Sequence, residues 1–236
     1  MIVRPADGVQ HLITQPDHAA LAGRIMEHWA SLATAERRQQ ILRAVRDHDN
    51  GWHEPDAAPT IEPATGAVRD FVAVPAAVKQ EVWPRCLDGL ADAPWAGALV
   101  AHHALSVYDR FRSDAGWTAF FARMEAARTR LLEVTGGAME ALVRDYVYVR
   151  LGDLASLAFC NAWPDPQVLG PWTIRLLDAR HLLIEPNPFT YDVPIEVAAR
   201  LLPQAPFSSD DDLRTAWRAA PIVTVTGVVV GRTRTS

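Results

Sequence analysis

Two adjacent residues, His48 and Asp49, close a predicted helix in the string His48-Asp49-Asn50-Gly51-Trp52. An imidazole nitrogen and a carboxylate oxygen are donors that divalent metals take from proteins. Ile41 and Val45 define the apolar stripe of this helix, and His48 and Asp49 are its next two members, so both are expected to face the interior. The pair predicts a metal site, although Asp49 could instead cap the helix end while His48 meets the helix dipole.

Three further potential ligands fall on apolar faces of other predicted helices: His18, His103 and Asp153. A polar side chain on such a face is costly unless something compensates it. We therefore expect these three to join His48 and Asp49 around one divalent metal ion, with Mn, Fe, Mg, Zn and Ni equally compatible. Simpler roles stay open, because a buried histidine can be held by a hydrogen bond and Arg150 could neutralise Asp153.

Other side chains are candidates for binding or activating a substrate. Asp49 and His103 are the candidate catalytic groups, since either could accept or relay a proton. Arginine binds anionic groups through paired hydrogen bonds, and an aromatic side chain can wall a planar molecule. The candidate pocket residues are Trp52, His53, Arg69, Arg24 and His102.

The predicted elements place these residues on helices that follow a short hairpin. Asp7-Gly8 marks the turn of a hairpin within residues 1–13, and helices are expected over about 14–32, 34–49, 78–90, 94–112, 116–134 and 137–163. Residues 51–76 form a long ordered loop, and strands over 173–177, 181–184, 193–201 and 222–230 flank a short helix at 209–219. The expected fold is mainly α (α+β), an HD-domain-like helical bundle with a small antiparallel sheet formed by the hairpin and the C-terminal strands. We expect a single domain over residues 1–236, with a hairpin at 1–13, a helical body at 14–163 and a β-rich C-terminal part at 164–236.

The charge and the apolar runs of the sequence argue against some kinds of binding partner. A formal charge of −5, without a basic block, argues against nucleic acid, and no apolar run is long enough to span a membrane. Cys86 and Cys160 form no paired framework and suit a reducing compartment. We expect a cytoplasmic protein with a small-molecule substrate and no nucleic acid or membrane partner, and a homodimer is possible.

The order His, His-Asp, His, Asp on successive helices resembles the HD-domain superfamily of metal-dependent phosphohydrolases. The strings at residues 15–19, 21–23, 48–52, 99–103 and 153–157, together with Tyr108, resemble an uncharacterised bacterial family of unknown function that looks like a divergent HD-like group. The superfamily pattern implies that a first metal ion has four ligands, namely His18, His48, Asp49 and Asp153. Asp49 would also be able to bridge to a second metal ion. A second site would need two more histidines, and only the neighbours His102 and His103 lie in the required interval.

Three functions are compatible with these features. A metal-dependent hydrolase of a small phosphoester or related anionic substrate is the preferred hypothesis, because a bound metal activates water and polarises a phosphoryl oxygen. An iron oxygenase with the HD fold is the first alternative, and it would need more histidine ligands. A non-catalytic metal- or ligand-binding module is the second alternative.

Overall fold

A computed structural model describes residues 1–231, and these residues form eight α-helices and seven β-strands. The helices are α1 (Gln15–Glu27), α2 (Arg38–Asp47), α3 (His53–Ala57), α4 (Ala76–Asp88), α5 (Pro94–Val107), α6 (Thr118–Thr135), α7 (Met139–Asn161) and α8 (Asp210–Ala219). The strands are β1 (Ile2–Ala6), β2 (Val9–Ile13), β3 (Gln167–Leu169), β4 (Trp172–Leu176), β5 (His181–Glu185), β6 (Val193–Pro203) and β7 (Ile222–Val229). The last five residues of the predicted C-terminal part, 232–236, lie outside the described residues.

All seven strands belong to one mixed sheet in the order β1-β2-β6-β7-β5-β4-β3. Neighbouring strands are antiparallel except for β5 and β7, which run parallel. After β6 the chain forms α8 and then returns as β7, which lies between β6 and β5 in the centre of the sheet. The predicted helical bundle with a small antiparallel sheet is therefore wrong, because the sheet is a full layer of an α+β fold.

The inner face of the sheet packs against the helices. Along β6, Val193, Ile195, Val197 and Ala199 are buried and alternate with exposed residues, which is the period of a strand with one covered face. These residues join the core cluster that also contains the buried residues of α1, α2, α5 and α7. Within residues 1–231, no helix combines the length and the apolar character needed to cross a membrane.

Two glycines permit close packing around the ends of the helices that carry the candidate ligands. A methyl group at Gly152 of α7 would lie 2.8 Å from Cγ1 of Val45 on α2 and 2.9 Å from Cγ of Met26 on α1. A methyl group at Gly51, just after α2, would lie 1.8 Å from the carbonyl oxygen of Val82 on α4. Both contacts are shorter than side chains allow, so glycine is required for α1, α2, α4 and α7 to approach as they do.

Candidate metal centre

Five buried histidine and aspartate side chains converge from four helical segments. The cluster consists of His18 of α1, His48 and Asp49 just after α2, His103 of α5 and Asp153 of α7. Their exposed fractions are between 0% and 6%. The structure thus brings together the five residues that the sequence singles out as potential ligands, and their binding of a metal stays a prediction.

The donor atoms lie at distances close to those around a metal ion. Nε2 of His48 is 3.6 Å from Oδ2 of Asp49 and 3.6 Å from Oδ1 of Asp153. Nε2 of His103 is 3.7 Å from Oδ2 of Asp153, and Nε2 of His18 is 2.7 Å from Oδ2 of Asp49. The potential ligands form two groups of three that share His48. The first group is His18, His48 and Asp49, and the second is His48, His103 and Asp153.

Hydrogen bonds on the opposite ring nitrogens orient the imidazoles. Nδ1 of His48 donates to the carbonyl oxygen of Val45 at 2.8 Å, so the neutral ring has no proton on Nε2. That Nε2 is buried and has no hydrogen-bond partner in residues 1–231. Nδ1 of His103 lies 3.0 Å from the hydroxyl of Tyr146. These contacts point Nε2 of both rings into the cluster, as in metal sites whose ligands are held by outer hydrogen bonds.

The pKa values in the cluster are shifted because two carboxylates are buried among imidazoles. Burial alone would lower the pKa of His48, but the negative charges of Asp49 and Asp153 raise it to about 9. Burial alone would raise the pKa of Asp153, but its contact with His48 and the nearby positive charges hold that pKa far below the usual range. Burial lowers the pKa of His103 to about 3. The site thus favours negative carboxylates and calls for positive charge between them.

A cavity of about 360 Å³ opens on the cluster. Asp49, His103 and Asp153 line it, while His18 and His48 lie deeper. Its wall also includes the cations Lys79, Arg110 and Arg150, together with aliphatic and neutral polar residues. Five aromatic side chains line it as well: Trp52, Phe71, Trp83, Tyr108 and Trp163. An anion with a flat apolar part would match this lining.

The predicted pocket residues are divided between this cavity and other places. Trp52 lines the cavity and also a second one of about 500 Å³, where Arg69 lies and pairs with Glu62. His53 is exposed at the start of α3. Arg24 is exposed and donates to the carbonyl oxygen of Glu196, and His102 lies half-buried with Nδ1 3.0 Å from Nη1 of Arg128. The structure does not bring His53, Arg69, Arg24 or His102 to the histidine and aspartate cluster.

Several residues at the site were not among the sequence candidates. Gln15 and Ser156 lie one helical turn from His18 and Asp153, so i, i+3 spacing from a candidate ligand could have found them. Lys79 is the only lysine in the chain, and it lines the cavity together with Arg110. Lys79 comes from a segment distant in sequence from every candidate ligand, whereas Arg110 lies seven residues after His103, just beyond the end of α5.

The fold and the site define an α+β protein with a buried histidine and aspartate cluster at the base of a cationic and aromatic cavity. Residues 1–204 match the model of the family described as "Protein of unknown function (DUF3891)", and the chain belongs to this family. The matched range contains all five cluster residues. No curated protein and no solved structure matches the chain. The prediction of an uncharacterised family of unknown function is therefore confirmed.

Proposed function

We propose that the cluster binds one divalent metal ion and that the protein is a metal-dependent hydrolase of a small anionic ester, such as a phosphomonoester. The observation that carries the proposal is the buried, unpartnered Nε2 of His48, which faces the carboxylates of Asp49 and Asp153 at 3.6 Å. Two buried carboxylates turned toward one ring nitrogen need a cation among them, which is the protonated imidazole in the metal-free protein and would be the metal ion once it is bound.

The donor distances suit a metal. With metal–ligand bonds of about 2.1 Å, adjacent ligand atoms are roughly 3.0 to 3.4 Å apart in octahedral and tetrahedral sites. The 3.6 and 3.7 Å separations around His48 and Asp153 would need to shorten by a few tenths of an ångström. The 2.7 Å separation between His18 and Asp49 would need to lengthen by a similar amount. Side-chain rotation alone supplies such shifts.

The cavity supports an anionic substrate. Lys79, Arg110 and Arg150 supply positive charge to the space in front of the cluster. A bound divalent metal would contribute Lewis acidity and a water whose pKa is lowered toward about 7. The free oxygen of Asp49 would take up the proton of that water, because a pKa of about 3 makes His103 a weak base. The chain's own cations would hold the ester and stabilise charge that develops on its oxygens.

The order of the donors along the chain also supports hydrolysis. The pattern His, His-Asp, His, Asp along the chain resembles that of the HD-domain phosphohydrolases. Only this order of residues supports the proposal, because the predicted helical-bundle fold is wrong. A dinuclear iron oxygenase is less favoured, because within residues 1–231 the two groups of ligands share His48. Nδ1 of His48 is already engaged with Val45, so this ring offers a single nitrogen.

Metal analysis and ester hydrolysis test the proposal. The purified protein, saturated with Mn²⁺ and desalted, should retain about one metal per chain. Asp49→Ala should abolish binding and leave a folded chain, and Asp49→Asn should do the same with less change in shape. Asp47→Asn, two residues away in an ion pair with Arg43, is the matched control and should bind metal normally. Full occupancy in Asp49→Ala would overturn the metal site.

The reaction is tested on the same samples. Phosphate release from a panel of aryl phosphates should follow metal occupancy in the wild type and disappear in Asp49→Asn. Oxygen uptake with bound iron and no phosphate release would favour the oxygenase. Stoichiometric metal without either activity would favour a non-catalytic module.

A further inference from the structure

Gln15, the first residue of α1, has a buried side-chain amide that is not used by the fold. The residue is 1% exposed, and neither Nε2 nor Oε1 has a hydrogen-bond partner in residues 1–231. Its backbone N–H, by contrast, donates to Oδ2 of Asp56 at 2.6 Å. Burying both polar atoms of an amide without partners is unfavourable, and leucine would fill the same space without that cost. The unsatisfied amide therefore needs an explanation.

The position of Gln15 supplies one. The residue lines the same cavity as Asp49, His103 and Asp153, and it lies one helical turn before His18 on the buried side of α1. A ligand in the cavity could therefore reach this amide. A metal ion could engage only the oxygen and would leave Nε2 unpaired. A ligand group with an acceptor beside a donor would satisfy both atoms at once.

We propose that Gln15 binds the substrate and that the substrate carries a carboxamide-type group, with adjacent donor and acceptor, on its non-reacting part. This inference rests on the proposed function for the identity of the substrate as an anionic ester. The anionic end of this substrate would face Lys79, Arg110 and Arg150. The aromatic rings of Trp52 and Phe71 would pack against the flat part that links the anionic group to the carboxamide. Gln15 is then a specificity-determining residue that selects for the carboxamide, because a ligand without it leaves the buried amide unpaired.

Calorimetric binding of phosphonates tests the inference without requiring turnover. The probes are phenylphosphonate and its ortho, meta and para carboxamide derivatives, titrated into protein that has been saturated with Mn²⁺. At least one carboxamide isomer should bind wild type about tenfold or more tightly than phenylphosphonate. Gln15→Leu should erase this preference, so that the carboxamide isomer and phenylphosphonate bind with about equal affinity.

Gln10→Leu is the matched control. Gln10 is also a buried glutamine, but its Nε2 donates to the carbonyl oxygen of Pro203 and it lines a different cavity. This variant should keep the preference for the carboxamide. Gln15→Glu, which keeps the size of the side chain but removes the amide donor, should weaken the preference and serves if Gln15→Leu fails to fold.

The inference is overturned if no carboxamide isomer binds better than phenylphosphonate, if the preference persists in Gln15→Leu, or if none of the four probes binds. Failure of the proposed function gives a different result. Phenyl phosphate would then not be hydrolysed, while the carboxamide preference and its dependence on Gln15 would remain measurable.

Discussion

The hydroxyl of Ser156 lies 3.0 Å from Nδ1 of His18 and donates its proton to the carbonyl oxygen of Asp153, also 3.0 Å away. Because a hydroxyl has a single proton, Nδ1 of His18 is the donor in the first contact. Nε2, which contacts Oδ2 of Asp49 at 2.7 Å, is then the ring nitrogen left to bind a metal. One buried hydroxyl thus sets the tautomer of one proposed ligand and contacts the backbone of another.

Ser156→Ala is expected to weaken metal binding without unfolding the protein. Loss of the hydroxyl frees the ring of His18 to rotate and to exchange tautomers, and such outer contacts contribute about 10- to 100-fold to metal affinity. Competition with a chromophoric chelator would measure this loss. Ser31→Ala, which removes a hydroxyl that accepts from Nε1 of Trp29, should leave the affinity unchanged. Equal affinities for wild type and Ser156→Ala would contradict the role of Ser156.

Metal binding is expected to release about one proton at neutral pH. The pKa of His48 is raised to about 9, so below that pH the metal-free protein holds a proton on the ring, which the metal must displace. Apparent affinity should therefore rise with pH by up to about tenfold per unit and level off as the pH passes the pKa of His48.

Calorimetry in buffers of different ionisation enthalpy measures this proton. Release should be lost in His48→Gln together with tight binding, and should be unchanged in His102→Gln, whose half-buried ring contacts Arg128 instead of the cluster. A metal affinity that is the same at about pH 6.5 and about pH 8.5 would rule out the linkage.

The five cluster residues could be predicted from sequence because helical spacing carries the necessary information. His18 shares a stripe with Leu21 and Ile25, all of which are buried in α1. Asp153 likewise lies among buried residues of α7. The predicted helices were correct in number over residues 14–49 and 78–163, and only their ends shifted. For these polar residues, an inward-facing position on a correctly placed helix was the property that the sequence could supply.

The sheet could not be predicted to the same extent, because pairing of strands is not local. The short strand β3 was missed, and nothing in the sequence around Ile222 indicates that β7 pairs in parallel with β5. The loop after Asp49 also contains the short helix α3, which leaves His53 exposed. Proximity in sequence to a ligand was therefore a poor guide to the pocket. Lys79 reaches the cavity through tertiary packing alone.

Gly51→Ala is expected to destabilise the protein by at least about 3 kcal/mol and to reduce metal occupancy. The added methyl group would lie 1.8 Å from the carbonyl oxygen of Val82, so either α4 or the turn that carries His48 and Asp49 must move. Gly89→Ala is the matched control at the end of α4, where the nearest atom would be 3.5 Å away. Its free energy of unfolding should stay within about 1 kcal/mol of wild type. Urea denaturation of the metal-free proteins would measure both changes, and similar effects for the two variants would contradict the packing argument.

Arg150→Met is expected to change metal and anion binding in opposite directions. Nη1 of Arg150 donates to Oδ2 of Asp153 at 2.6 Å, and both side chains line the cavity. Removal of this positive charge frees Asp153 for a cation, so affinity for Mn²⁺ should rise by at least about threefold. Affinity of the Mn²⁺-saturated protein for inorganic phosphate should fall, because one of three cavity cations is lost.

Lys79→Met is the matched control. Its ammonium donates to the carbonyl oxygen of Val72, so this variant should weaken phosphate binding with a smaller effect on the metal. A lower Mn²⁺ affinity in Arg150→Met would show that the arginine supports the metal site by orienting Asp153, and would contradict an electrostatic competition between the two cations.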